Sequence, residues 1–465
     1  MIRDIVKKLV DGTPISVLVL PVHESSQVRQ AMLSVDKGGA IWLEVGFDGP
    51  VPGSSSSGIS TGLLGGAGRK DLICEATNGS ELGLMGVRRH RYRSSGANDH
   101  WWETLSVDNV LFGDGDVAEF RGSNARVGES AVDGLEPWLP GAFWESEHRW
   151  NEDGTASGVN ISLDETVTGS FEHDGFEVTV GRSWEADYTY SSRRSSRTGH
   201  RFGFVRTEAV DPRSFSDHFV IHSRVAELVS VVAQTRCSWH SHKISGGATR
   251  GEEADHASQR EFPVHLVSRD TLAGQLAPEP DIEHRPLARF EAIGIEGLDQ
   301  WLRSYAKWAR VISPVVRDVQ VGIRSRDERV VSLGIALDTA GAILNPVGGD
   351  FDGLNLGGTA QNIYRAVHHG VLGDWFDEPD LLRVVRGVAR TYNKVKHFKE
   401  GEVPTPLQKY VCEEFLAVGS RHFVLSLASR DLDFDPMHAV ARQVEWIRGL
   451  GTPGWFDDDG KWLGD

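Results

Sequence analysis

From about residue 276 the hydrophobic pattern of this chain changes its period, and that change limits what the chain can fold into. The stretch APEPDIEHRP is rich in proline and charge, and each proline disfavours helix at the residue before it, so the segment reads as a linker spanning 276–296. Before it lie short runs of β-branched and aromatic residues. ISVLVLPV and AIWLEV fall within 15–45, followed by LGLMGV, SVDNVLF, FEVTV and RFGFVR. In AIWLEV, Ile41, Leu43 and Val45 alternate with Trp42 and Glu44, and in FEVTV the alternating set is Phe176, Val178 and Val180. That is the two-residue period of half-buried strands. One helical pattern interrupts them after Pro212, in SFSDHFVIHSRVAELVSVVA. Beyond the linker the period is helical, over 297–317, 327–344, 357–369, 379–398 and 405–430, with a shorter piece at 436–449. The expectation is an α+β multidomain protein: a β-rich sandwich or barrel over 1–275, then an all-α bundle over 297–450. An acidic tail, 451–465, follows; its Trp455 and Trp462 have either the bundle or a partner to dock on.

Within the β-rich part, PGSSSSGISTGLLGGAGR at 52–69 offers almost nothing to bury and reads as a mobile loop, and ATRGEEADHASQ at 248–259 as a solvated one. Three scattered cysteines, Cys74, Cys237 and Cys412, are too few for a disulfide framework or a four-thiolate zinc site, which points to a reducing compartment. No apolar run approaches the roughly 20 residues a spanning helix needs, and the N-terminal MIRDIVKKLVDG lacks a signal-peptide pattern, so the expected location is the cytoplasm with no membrane partner. With 66 acidic against 49 basic residues the net charge is −17, which repels nucleic acid unless a local basic patch exists.

Such a patch is present. LLRVVRGVARTYNKVKHFK, 381–399, carries Arg383, Arg386, Arg390, Lys394, Lys396 and Lys399 and no acidic residue. Arg390 and His397 are seven apart, two helical turns, so a continuous helix would present both from one face, with Asn393 between them. These residue types suit cleavage of RNA. Imidazole titrates near neutrality and can take a proton from a 2′-hydroxyl or give one to the leaving oxygen, while a guanidinium can hold the phosphate in a bidentate grip. Attack by the 2′-hydroxyl leaves a 2′,3′-cyclic phosphate, needs no metal or cofactor and spares DNA. The competing reading is an Arg and a His decorating a solvated helix face.

Arg390, six residues and His397 resemble the R-x(4–6)-H signature of HEPN domains. The wider chain is similar to the ApeA family of anti-phage proteins, in which a β-rich region precedes a HEPN domain. GGAIWLEV at 38–45 resembles that family's early strand, VDGLEPWLP at 132–140 its leucine and tryptophan motif, and GLDQWLRSYAKWARVISPV at 297–315 the helix joining the two regions. The resemblance implies an abortive-infection effector whose metal-independent ribonuclease is controlled by the β-rich region. Arg390 and His397 would be catalytic with Asn393, and Lys394, Lys396 and Arg386 would hold the substrate. A homodimer or larger homo-oligomer with a composite site is implied, as is a phage-derived trigger, protein or nucleic acid. Active members commonly place a polar Asn, Asp or His directly after the Arg, where Thr391 stands here. The alternative is therefore an inert HEPN bundle acting as a sensor through protein contacts.

Other candidates have plainer readings. Cys237, His240 and His242 in CSWHSH offer zinc ligands but no second pair, and a strand edge with a buried Cys is the simpler expectation. His368 and His369 close a helix, where imidazolium complements the C-terminal dipole. GLLGGAG at 62–68 lacks the Lys-Ser or Lys-Thr of a phosphate-binding loop. Arg193, Arg194 and Arg197 suit a solvated hairpin tip, and Trp101, Trp102, Trp138 and Trp144 are expected mostly in core.

Overall fold

The structure is a computed structural model. It describes residues 8–9, 11–19, 29–48, 70–77, 79–94, 100–113, 117–120, 124–140, 144–150, 156–163, 166–190, 195–246, 264–268, 286–321, 325–345, 356–370, 376–397, 403–429, 449 and 455–464. The loops expected at 52–69 and 248–259 and the helix expected at 436–449 lie outside them, apart from residue 449. The chain divides into two compact units that interleave along the sequence. The first takes 1–133, 174–222 and 238–279, and the second takes 134–173, 223–237 and 280–465.

The first unit is β-rich. Its strands are β1 (Ile15–Val19), β2 (Arg29–Val35), β3 (Ile41–Asp48), β4 (Lys70–Ala76), β5 (Glu81–Ser94), β6 (His100–Val107), β7 (Asn109–Gly113) and β8 (Asn124–Val132). The second unit holds β9 (Trp144–Trp150), β10 (Ala156–Leu163) and β11 (Thr166–His173). The first unit resumes with β12 (Phe176–Tyr190), β13 (Ser195–Ser214), β14 (Trp239–Ser245) and β15 (Val264–Ser268). The hydrogen-bonded order is β12-β13-β8-β14-β15-β7-β5-β4-β1-β2-β3-β6, and β6 also pairs with β5, which closes the last six strands into a barrel. Closure removes the unpaired edges that an open sheet exposes.

Register explains the barrel core. Leu43 of β3 stands opposite Leu33 on β2 and opposite Leu105 on β6, and all three are fully buried. The β2–β3 turn depends on Gly39 at φ 77°, a conformation that disfavours any side chain, and on Asp36, whose Oδ1 accepts from the N–H groups of Gly38 (2.8 Å) and Ala40 (3.0 Å). SVDNVLF, read as one strand, is two: the run bends at Asp108, so β6 pairs with the second half of β5 and β7 with its first half. Trp239–Ser245 is not a strand edge but an interior strand, hydrogen-bonded to β8 on one side and β15 on the other. Cys237, just before it, is buried as expected.

The helices longer than one turn are α1 (Phe215–Ala233), α2 (Phe290–Val321), α3 (Arg326–Ile343), α4 (Gly358–His369), α5 (Glu378–Lys396) and α6 (Pro406–Ser426) among the described residues. All but the first turns of α1 belong to the second unit. At the end of the Pro- and charge-rich stretch, Leu287, Ala288, Phe290 and Ile293 are buried, and the α2 segment breaks at Gly294 (φ 62°) before its long run. Two helices start on side-chain caps: Ser325 accepts from Glu328 N–H at 3.2 Å, and Thr405 accepts from Gln408 N–H at 3.1 Å. α6 is buried around its whole circumference, from Val411 and Cys412 through Phe415 and Leu416 to Phe423 and Leu425, which makes it the central helix of its unit. No helix among the described residues is long and apolar enough to cross a membrane.

α3 and α4 approach so closely at Gly341 that a Cβ there would overlap the Asn362 carbonyl. A backbone atom cannot swing aside as a side chain can. Gly341→Ala is therefore expected to destabilise the second unit by about 1–3 kcal/mol, read as a lowered urea midpoint with an unchanged m-value.

Candidate functional site

The basic segment forms α5 for legible reasons. Glu378 and Asp380 sit in its first turn and Lys394 and Lys396 in its last, each sign complementing the helix dipole, and Pro379 is tolerated at the start. Leu381, Val384, Val385, Val388 and Tyr392 recur at helical spacing and are buried, with Ala389 beside them. The stripe leaves Arg386, Arg390 and Asn393, at i, i+4 and i+7, on the opposite side.

Those three residues line one open groove of about 440 Å³ together with Ala389, Asp459 and the segment Leu356-Gly357-Gly358-Thr359-Ala360. That segment is the beginning of α4. Its N-cap is Gly357, which offers no side-chain cap to the first-turn N–H groups, and open space surrounds the Cα atoms of both Gly357 and Gly358. Uncapped N–H groups at a helix start carry partial positive charge, and two guanidinium groups face the same space. Arg390 is exposed and has no hydrogen-bond or ion-pair partner among the described residues, whereas Arg386 Nη1 donates to Asp458 O at 2.7 Å.

The structure treats the other sequence candidates differently. Arg390 and His397 are both exposed and neither is sealed in the core. They do not share one continuous helix, however, because α5 ends at Lys396 and His397 is its C-cap, at φ −115°, ψ 60°. Its N–H still closes a helical bond to Asn393 O at 2.9 Å, but its side chain is not part of the groove lining. Lys394 is exposed, and Lys396 is exposed with its ammonium 5.2 Å from the centre of the Tyr392 ring. Neither lysine lines the groove.

Thr391 is fully buried, donates to Gly387 O at 2.8 Å and accepts from Gln408 Nε2 at 2.9 Å. The position after Arg390 is thus a core position tying α5 to α6, and the polar residue on the Arg390 face is Asn393. Sequence reading missed the contribution of Gly357-Gly358 and Asp459. The adjacent glycines at a helix start were the available signal for the first; nothing local marks the second.

Among the described residues no cluster of His, Cys, Asp and Glu is arranged to hold a metal ion. His242 instead belongs to a buried hydrogen-bond chain with Ser130, His222, Thr207 and His218. His368 and His369 occupy the last turn of α4, as read. Trp101 is in core, stacked on Phe47 at 4.2 Å between centroids, and Trp138 is buried with its Nε1 donating to Ala288 O at 2.9 Å. Trp102 is half-buried beneath the Arg93 guanidinium, while the side chains of Trp144 and Arg197 and the whole of Arg193, Arg194 and GLLGGAG lie outside the described set. What the groove can do chemically is bind an anion: it joins two arginines, an amide side chain and helix-start N–H donors beside Asp459, with the His397 imidazole at the C-cap of α5 outside the lining. Comparison of this chain with protein-family models, curated proteins and solved structures gives no match.

Proposed function

We propose that this chain is an RNA-cleaving anti-phage effector of the HEPN type, similar in organisation to the ApeA family, with its β-rich unit controlling the helical one. The observation that carries the reading is the groove in which Arg386, Arg390 and Asn393 converge with the uncapped start of α4. It gives an otherwise acidic chain a concave surface lined by two arginines, which suits a phosphodiester backbone. Arg390 holds the scissile phosphate and stabilises charge developing on its oxygens, Asn393 orients it, and Arg386, Lys394 and Lys396 contact flanking phosphates. The 2′-oxygen bonds to phosphorus as the bond from phosphorus to the 5′-oxygen breaks. The 2′-hydroxyl proton passes to a base and the departing oxygen takes a proton from an acid. His397 serves as one of these, and a second copy of the chain supplies the other across a composite dimer site.

The test is digestion of an RNA pool by the purified full chain in the presence of EDTA. Expected products carry 2′,3′-cyclic phosphate ends, and Arg390→Ala and His397→Ala each lower the rate about a hundredfold. One observation favours a second reading: His397 caps the helix rather than lining the groove. If RNA binds but is not cut, and only Arg390→Ala weakens binding, the bundle is a recognition module and not a nuclease. Degradation at equal rates by all three proteins rejects the site.

A further inference from the structure

The acidic tail is built as a small hairpin on α5. Asp457 N–H donates to Lys461 O (3.0 Å), Leu463 N–H donates to Trp455 O (2.9 Å), and Phe456 and Trp462 form a β-bridge. Asp457 Oδ1 accepts from the N–H groups of Asp459 (3.1 Å) and Lys461 (2.7 Å), and Gly460 takes φ 75° to complete the turn. Phe456 is fully buried against Gly387, where a Cβ would overlap its ring. Gly460 lies so close to the backbone of Arg386 and Gly387 that it too has no room for a side chain. The hairpin is therefore seated by shape on the helix that carries the basic face.

The seat brings acid to that face. Asp458 accepts from Arg386 Nη1 through its carbonyl (2.7 Å) and from Arg383 Nε through its carboxylate (3.2 Å), and Asp459 lines the groove with Arg386, Arg390 and Asn393. Both Asp458 and Asp459 are exposed, so they add little to the hydrogen-bonded core of the turn, which Asp457 supplies.

We propose that the 455–464 hairpin is an intramolecular competitor of the groove's polyanionic ligand, placing Asp459 in the groove lining, the Asp458 carboxylate on Arg383 beside it and the Asp458 carbonyl on Arg386. Displacing it or removing its charge opens the groove. The proposal rests on the functional reading above only for the identity of the ligand as RNA; competition itself requires only that the groove take a polyanion.

The test uses the full chain, with inorganic tripolyphosphate and a 2′-O-methyl RNA 20-mer, which resists 2′-hydroxyl attack, as binding probes. The double variant Asp458→Asn/Asp459→Asn, chosen because both side chains are exposed, is expected to bind both probes about tenfold more tightly at low salt. The gain shrinks at high salt, and adding Arg386→Ala reverses it. Glu75→Gln/Glu81→Gln, an equal charge change at exposed positions of the first unit, should move affinity less than twofold. Hydrogen exchange of 455–464 should rise when tripolyphosphate binds the unmodified protein. Equal affinities for the unmodified chain and the hairpin variant, or an equal gain in the control variant, overturns the proposal. A tenfold gain for tripolyphosphate, with a separate unmodified RNA pool cleaved by none of the variants, upholds the competitor and removes the nuclease.

Discussion

Arg329→Met is expected to destabilise the helical unit by about 3–5 kcal/mol, because it strips the shared cation from two buried carboxylates. Arg329 donates to Asp318 through Nε (2.6 Å) and Nη2 (3.0 Å) and to Glu413 through Nη1. Asp318 and Glu413 are 4% and 8% exposed, too little for water to replace the lost partner. Arg421 still reaches Asp318 at 3.1 Å and Arg326 still reaches Glu413 at 2.8 Å, which places the loss toward the lower end of that range. Burial alone pushes the Asp318 carboxyl up, but the guanidinium groups of Arg329 and Arg421 outweigh it and hold the group below its ordinary value of 3.8. A carboxylate with a depressed folded value contributes stability above its unfolded value and loses it as pH falls through the folded one. In the Met variant much of that depression is gone, so the stability gap between the two proteins should hold from pH 7 down to about 3.8 and narrow as pH falls below it. Urea titrations of both proteins at several pH values measure this. A gap independent of pH would show that Arg329 acts through packing and not through its charge. Arg329→Lys, which keeps the charge but not the bidentate fork, should fall between them.

Residues with a strong local reason for their conformation were the ones the sequence disclosed. Ile41, Leu43 and Val45 alternate because one face of β3 meets the barrel interior, and Leu381, Val384, Val385, Val388 and Tyr392 recur because one stripe of α5 meets the core. The helix after Pro212 and the five long segments beyond the linker follow the same logic, with ends within a few residues of those read from periodicity, except that α2 begins seven residues earlier. β2, β4 and β8 went unread because their outward positions include Gln30, Glu75, Arg126 and Glu129 and their buried ones include Ala31, Cys74, Gly128 and Ala131, so neither β-branching nor bulk marks them. Sheet order was not legible either. That β5 pairs first with β4 and β7 and then with β6 is a property of partners far apart in sequence.

For the candidate site, spacing alone places Arg386, Arg390 and Asn393 on one face, and the groove lined by all three has that arrangement. Two features depended on neighbours the helix pattern does not contain. Asn393 O accepts the last helical bond and His397 leaves helical geometry, a stop that no glycine or proline announces. The buried role of Thr391 comes from Gln408, seventeen residues away on α6, and Asp459 reaches the groove only because Gly387 leaves room for Phe456.

The β-rich unit should lose stability steeply below pH 6.5, because three of its histidines are held neutral by a hydrogen-bond chain whose direction is fully determined. His218 Nε2 lies 3.0 Å from Ala125 O, and a carbonyl can only accept, so that nitrogen carries the proton. His218 Nδ1 must then accept from the Thr207 hydroxyl (2.7 Å), and Thr207 Oγ1 in turn accepts from His222 Nε2 (2.8 Å). That leaves His222 Nδ1 to accept from Ser130 (2.6 Å), whose oxygen accepts from His242 Nδ1 (2.7 Å). A proton added to Nδ1 of His218 or His222 would set two donors against each other in a site closed to water. Burial, the largest cause, lowers all three; neighbouring histidines lower His222 further, whereas the Ala125 bond and Asp217 partly restore His218. His242 is brought down to about 3. Unfolding releases each group to its ordinary value of 6.5, so the unfolded chain binds more protons through the window from 6.5 to about 3. Stability is full above that window and falls through it, by about 1.4 kcal/mol for each tenfold difference in proton affinity between folded and unfolded states. Melting temperatures followed by circular dichroism from pH 7 to pH 4 should therefore drop continuously. His242→Leu, which removes one proton acceptor of the unfolded state, should flatten the dependence by up to one proton even though it lowers stability at pH 7. Parallel curves for the two proteins would mean that His242 is protonated in the folded chain as well, its Nδ1 still donating to Ser130.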